Sequence, residues 1–200
     1  MSERDASSWQ GPMTTVPPGY FVNRYDDQPD PWNLSSSRYE ERKRRHVLET
    51  LPRDHYRCGY EPGCGRGDLT RLLAPRVTEL WAVEVVAAAV ASTWSACVDY
   101  PHVRVTQADV RHWTPPRPVD LIVFSEILYY FSPADFRRVV ETTATSLAPG
   151  ADVIAVHRRR DPGKGWDAPQ LHEWLTSGLR GVITATERNS DYEIAVIDVA

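Results

Sequence analysis

Tyr60-Glu61-Pro62-Gly63-Cys64-Gly65-Arg66-Gly67-Asp68-Leu69-Thr70 decides the fold. It lies between an apolar run and a helical pattern, so it reads as the turn joining a strand to its crossover helix. Three glycines at alternate positions let the backbone turn sharply and approach a ligand with no Cβ in the way. The helix that follows opens with its free N–H groups toward the same crevice. Glu61, separated from the first glycine only by Pro62, argues against a phosphate, which its carboxylate would repel. It suits a ligand that carries positive charge.

Outward from this turn, short apolar runs alternate with helical patterns, the signature of a parallel sheet covered by helices on both faces. Strands are expected at 56–61, 80–85, 103–107, 119–125 and 153–157. Leu69, Leu72 and Leu73 form one helical face, the Ala-rich stretch from Ala87 to Val98 a second, and Phe136, Val139, Val140 and Leu147 a third. Ser132 as N-cap, Pro133 at the first helical position and Gly150 just past the end punctuate that third helix. A short helix over 168–177 precedes Gly178. Residues 182–187 and 192–199 alternate around Arg188-Asn189-Ser190-Asp191, which reads as an antiparallel hairpin.

Toward the N-terminus, residues 2–31 are rich in Pro, Ser and Asp without a sustained period, and 1–30 is read as a flexible arm. A single domain over 31–200 follows, opening with a helical lid at 31–52. Ser37 and Glu40 have capping-box spacing, and the helix they start is expected to run to about Leu51, where Pro52 stops it. Tyr39, Val47, Leu48 and Leu51 share its buried side, while Glu40 with Arg44 and Glu41 with Arg45 are i,i+4 pairs on the wet side.

Composition sets the outer limits. With 200 residues, 42% hydrophobic and 25% charged, the chain is one globular domain, neither disordered nor membrane-spanning. The polar start MSERDASSWQG lacks a signal peptide's apolar stretch, so a cytoplasmic location and no membrane partner are expected. A net charge of −4 offers no field for a phosphate backbone, which makes nucleic acid a poor partner. Cys58, Cys64 and Cys97 have no C-x-x-C spacing, and neither a disulfide framework nor a metal site is expected. No apolar surface stripe speaks to oligomeric state.

With these residues in order, the chain resembles the class I S-adenosylmethionine-dependent methyltransferases, whose first motif is an acid followed by G-x-G-x-G. The resemblance implies an α/β, Rossmann-like sheet of seven mostly parallel strands with a C-terminal antiparallel hairpin. It implies S-adenosyl-L-methionine as cofactor, with Glu61 holding the methionine amino group and Gly63, Gly65 and Gly67 passing beneath the ligand. Glu84, at the end of the second strand, would accept from the ribose diol, with Val85 beside it. Asp109, after the third strand, would contact the adenine, with Val110 beside it. Ser125 and the segment Glu126-Ile127-Leu128-Tyr129-Tyr130 would lie under the methionine moiety. Trp32 and Tyr39 either close over the cofactor or pack onto the core.

Three segments carry a narrower resemblance, to the small methyltransferases related to the rhizobial nodulation N-methyltransferase. They are Asp30-Pro31-Trp32-Asn33-Leu34 with Tyr39-Glu40 and Arg42-Lys43, then Glu61-Pro62-Gly63-Cys64 through Leu69-Thr70, then Ser125-Glu126-Ile127-Leu128-Tyr129-Tyr130. This resemblance implies a small-molecule acceptor with an amine, such as an amino sugar.

A methyl leaving a sulfonium departs from a neutral group, so alignment and exclusion of water supply most of the acceleration and a strong base is optional. Glu126, just past the fourth strand, and His157, at the end of the fifth, are the candidate catalytic groups by position. Glu126 also reads as a cofactor contact or a cap, and His157 as a structural cap. Tyr129 is the third candidate, as a wall or hydrogen-bond donor; in an extended backbone only one of Tyr129 and Tyr130 would face inward. His46, His55, His102, His112 and His172 lack ligand-like spacing. The run Arg42-Lys43-Arg44-Arg45, interleaved with glutamates, reads as a solvated face, and Cys64 as inert packing. The competing activities are oxygen methylation, a nicotinamide dehydrogenase, which would usually show G-x-G-x-x-G, and a non-catalytic partner subunit of another methyltransferase.

Overall fold

The computed structural model describes residues 12–159 and 167–199. Seven strands form one sheet: β1 Tyr56–Pro62, β2 Val77–Glu84, β3 Val103–Gln107, β4 Val119–Ser125, β5 Leu147–Arg158, β6 Val182–Arg188 and β7 Tyr192–Val199. The α-helices are α1 Pro18–Asp27, α2 Arg38–Glu49, α3 Thr70–Leu73, α4 Ala87–Ala96, α5 Pro133–Ala144 and α6 Ala168–Leu179, with single 3-10 turns at Ala74–Arg76 and Leu128–Tyr130.

The strand order is 3-2-1-4-5-7-6, and β7 runs antiparallel to both β5 and β6 while the other pairings are parallel. From β1 the chain winds outward through β2 and β3, then returns to place β4 on the other flank of β1. The order therefore reverses between β1 and β4, and in open α/β sheets ligands bind beyond the carboxyl ends of the strands at that point.

Strand alternation fills both faces. Ile122, Phe124, Val153 and Ala155 pack with Phe136, Val139 and Val140 of α5 and Leu171 and Leu175 of α6. Leu121, Val123, Ile154 and Val156 point the other way, toward Val47 of α2, Leu51 and Leu73. A sheet buried on both sides reads as continuous apolar runs, which is why β4 and the C-terminal half of β5 stand out in the sequence. Among the described residues no helix is long and apolar enough to cross a membrane.

Five expectations change. Residues 18–27 form a helix where no periodicity was visible. Pro18 presets its first turn, and Tyr25 and Phe21 pack it against Val86 and Ala89 of the α4 start, so it is held by tertiary contact. The first eleven residues of the expected arm lie outside the described residues. Helix α5 ends at Ala144, and Leu147 belongs to β5 rather than to a helical face. Gly150, at φ +67°, is not a helix cap but sits in the irregular start of β5, where its pairing with β4 shifts register. Glu40 pairs with Lys43, not Arg44, whose guanidinium donates to the Leu34 carbonyl at 2.8 Å. Finally, Lys43 does not face solvent: it is 2% exposed.

Candidate active site

A cleft of about 360 Å³ opens where the strand order reverses, lined by Glu61, Gly63, Gly65, Glu84, Val85, Asp109, Val110, Ser125, Glu126, Tyr129 and Trp32 among others. Eleven of the fourteen expected site residues therefore converge. Gly67, Tyr39 and His157 do not line it.

Glu61 ends β1 almost wholly buried. Its Oε2 accepts from the Thr70 hydroxyl at 2.6 Å, and no cation pairs with it among the described residues. Burial pushes its carboxyl up to about 8, against the pull of the Thr70 hydrogen bond. Asp68 lines the same cleft, and its buried Oδ2 has no hydrogen-bond partner. Two carboxylates at the mouth of the turn, one uncompensated and one orphaned, fit a cationic ligand group.

The glycines divide by task. Gly65 is at φ +55°, and a Cβ there would point into the cleft, 3.5 Å from the Tyr25 hydroxyl. Gly67 is at φ +83°, and its Cβ would stand 2.8 Å from Thr93 Cα, so this glycine serves the packing of the turn onto α4 rather than a ligand.

Glu84 ends β2 with its carboxylate capping the turn. Oε2 accepts from Gly65 N–H at 3.0 Å, and Oε1 accepts from the N–H groups of Val85 and Val86 at 2.7 and 3.1 Å. Burial raises its carboxyl, and these three N–H bonds only partly offset that. Asp109 is gripped by Arg111, which also reaches Asp135 at 2.8 Å. Burial raises the Asp109 carboxyl, but the Arg111 hydrogen bonds outweigh it, and the net shift is downward.

At the β4–β5 end, Glu126 adopts φ +57°, a left-handed conformation that costs a non-glycine residue on the order of 1 kcal/mol. Three partners hold it there. Oε1 accepts from Lys43 Nζ at 2.7 Å, and Oε2 accepts from the Tyr129 hydroxyl at 2.7 Å and from Arg158 N–H at 3.1 Å. Burial lowers the Lys43 ammonium, yet Glu126 and Glu40 more than compensate, so it stays charged. Because Leu128–Tyr130 is a 3-10 turn rather than extended chain, both Tyr129 and Tyr130 line the cleft, which corrects the expectation that only one would.

His157 is fully buried beneath this turn. Its Nε2 accepts from Leu128 N–H at 3.2 Å and its Nδ1 meets His172 Nε2 at 3.0 Å, while burial first and the neighbouring His172 second hold it well below the usual imidazole value. A neutral ring with both nitrogens engaged and no face on the cleft is a support, not a base. Tyr39 lies outside the cleft, its ring against Tyr192 and its face met by Lys43. Cys64 is a buried thiol, pushed up by burial, with Thr93 as neighbour.

The N-terminal segment completes the cleft without any sequence signal. Val16 N–H donates to the Tyr130 carbonyl at 2.9 Å, and the Thr15 hydroxyl bonds Asp135 at 2.5 Å. Thr15, Val16, Phe21 and Tyr25 thereby wall the opening. Asp68 and Arg158 also line the cleft and carry no role in the sequence reading, while Lys43, read there as part of a solvated face, reaches Glu126 from buried surroundings.

The sheet order, the acid-then-glycine turn at its reversal and the acids at the next two strand ends define a class I S-adenosylmethionine-dependent methyltransferase. The family model described as Nodulation protein S (NodS) matches residues 20–170, and the chain belongs to that family. Nodulation protein S of Sinorhizobium fredii (strain NBRC 101917 / NGR234) is 30% identical over 144 residues, covering 71% of this chain and 67% of the relative. Trans-aconitate 2-methyltransferase of Azoarcus sp. (strain BH72) is 32% identical over 120 residues, 60% of this chain and 46% of the relative. Among solved structures, the N-methyltransferase NodS from Bradyrhizobium japonicum WM9, in complex with S-adenosyl-l-homocysteine, superposes with a TM-score of 0.76 at 20% identity, covering 91% of this chain and 98% of that one.

Proposed function

We propose that this protein transfers a methyl group from S-adenosylmethionine to an amine nitrogen of a small acceptor, an amino sugar or a related biosynthetic intermediate. The observation that carries this reading is the Glu126 carboxylate, fixed at the acceptor end of the cleft with three of its roughly four acceptor directions filled. The direction left over accepts one N–H or O–H donor of the acceptor. The naming of the Bradyrhizobium protein as an N-methyltransferase favours the N–H.

The bound cofactor supplies an electrophilic methyl on a sulfonium. Glu61, with Asp68 behind it, would neutralise the cofactor's ammonium; Glu84 and Asp109 would hold its ribose and adenine ends. Val85, Val110, Ser125 and Trp32 would wall it in. Glu126 orients the acceptor nitrogen, and Tyr129 keeps the carboxylate turned inward. Phe21, Tyr25 and Val16 exclude water from the space between, the contribution that matters most for a displacement with a neutral leaving group.

The test is incubation of the full chain with methyl-labelled cofactor and a panel of amino sugars, simple amines and phenols, followed by mass analysis of products. A methyl on nitrogen is expected. Methylation confined to oxygen, or S-adenosylhomocysteine binding with no product from any acceptor, would replace this reading by an O-methyltransferase or a partner subunit respectively.

A further inference from the structure

The acceptor end of the cleft continues past Arg158 into a polar groove. Arg158 lines both spaces, and the groove is shared with Tyr39, Arg42, Ser190 and Asp191. Strand parity sets this up: Val153, Ala155 and His157 face α5 and α6, so Arg158 emerges on the α2 side beside Tyr39. Its backbone N–H is bonded to Glu126 Oε2, which fixes the two residues relative to each other through main chain.

The groove does not offer a stacking platform. The Tyr39 ring is already met by the Arg158 guanidinium at 5.6 Å, by Lys43 Nζ at 5.1 Å and by the Tyr192 ring at 5.9 Å. What it offers is charge. Among the described residues neither Arg158 nor Arg42 forms a salt bridge, whereas Arg111 is held by Asp109 and Asp135, and Arg53 by Asp152. Among the described residues lining the groove, these two guanidinium groups face a single carboxylate, Asp191, with Glu126 beside Arg158 at the cleft end.

We propose that the acceptor is an amine that also bears an anionic group, a carboxylate, phosphate or sulfate, which Arg158 binds with help from Arg42 while the nitrogen sits at Glu126. The guanidinium fork matches such anions bidentately, and it stands next to the carboxylate that receives the amine. An acceptor lacking the anion would leave this exposed fork to water and the Tyr39 ring, so it would forgo a charge-assisted contact rather than strand a buried group. This inference rests on the amine-methylating reading above and narrows its substrate class.

The experiment compares matched acceptors that differ only in the anion, glucosamine against glucosamine 6-phosphate and phenol against 4-hydroxybenzoate. Binding to the S-adenosylhomocysteine-loaded protein is measured by calorimetry, and KM wherever turnover occurs. The anionic member is expected to bind roughly tenfold more tightly, the scale of one net hydrogen bond to a charged group. Arg158→Gln should compress that ratio toward one, and Arg158→Lys, keeping the charge without the fork, should retain part of it. Equal or tighter binding of the neutral member, no binding of either anionic one, or a ratio that survives Arg158→Gln overturns the proposal; a merely structural Arg158 would weaken both members alike. Discrimination seen only in the phenol pair would sink the amine reading while leaving the anion site standing.

Discussion

Lys43 Nζ lies 2.7 Å from Glu126 Oε1, joining a helix before the sheet to a loop after its fourth strand across 83 positions of sequence. The ammonium is shared with Glu40 and sealed from solvent. A buried charge of this kind is tolerated only while its partners are present.

Replacing Lys43 by Met is therefore expected to lower stability by about 3 kcal/mol, because it strands a carboxylate rather than deleting a contact. Glu126→Gln added to that variant removes the stranded charge, and the double variant should lose at least ~1 kcal/mol less than the sum of the single losses. Urea unfolding midpoints of the four proteins check this; strict additivity would mean the two residues do not act as a pair. Glu126→Gln alone should lower turnover more than it lowers cofactor affinity.

Glu61 makes the ligand-free protein sensitive to pH. Its folded carboxyl is raised to about 8 by burial, above the ordinary value of 4.5, so the folded state favours the proton. Stability without ligand should fall as pH rises between those two values, and Glu61→Gln should flatten that slope. A cationic ligand favours the ionised form, so binding expels the proton. S-adenosylhomocysteine should bind more tightly with rising pH, its Kd changing by up to tenfold per unit below about 8. Calorimetry in buffers of different ionisation heat reads the released proton directly. Affinity that is flat from pH 6 to 8 would remove Glu61 from the ligand.

Two alanine substitutions separate ligand from packing. Gly65→Ala carries a backbone cost of about 1–2 kcal/mol for its left-handed conformation, but its methyl meets only ordinary contacts on the cleft wall, Tyr25 Oη at 3.5 Å and Leu34 Cδ1 at 3.8 Å, so cofactor affinity should suffer more than stability. Gly67→Ala meets the Thr93 backbone and should lower the melting temperature markedly, with no rescue from trimming Thr93 to Ala, since the clash includes its Cα. Thermal melts alongside ligand titrations distinguish the two.

His157→Leu should act on the fold. It leaves the Leu128 N–H without its acceptor and His172 without its partner, at a cost of about 2 kcal/mol. The wild-type ring is held below the ordinary imidazole value of 6.5, so its contribution is full above that pH and is lost as pH falls below it. A folded His157→Leu protein with unchanged stability but abolished turnover would restore His157 as a catalytic group.

What the sequence revealed follows from how local the cause was. Strands β3, β4 and β7 match their expected bounds to the residue because each is a bounded apolar or alternating run. Strand β5 begins six residues early because Ala148-Pro149-Gly150 builds an irregular start that has no period of two. The N-terminal helix was invisible because Tyr25 and Phe21 earn their burial from α4, not from a stripe of their own. Lys43 was misread because an i,i+4 charge pattern speaks only for its own helix, while its decisive partner is a residue of a distant loop. Of the two readings left open for Tyr39, lid or core packing, the structure takes the second: it packs onto the core with its ring against Tyr192, at the far end of the chain. The acids at the strand ends were legible because strand ends are where this sheet must place its ligand.

Every role proposed for the cleft requires the acid-then-glycine turn to seat a cationic nucleoside. Calorimetric titration of the full chain with S-adenosylhomocysteine, and separately with NAD, tests it most directly. One equivalent of S-adenosylhomocysteine should bind with proton release below pH 8, and NAD should give no binding. Saturable NAD binding by a protein that ignores S-adenosylhomocysteine would contradict the account.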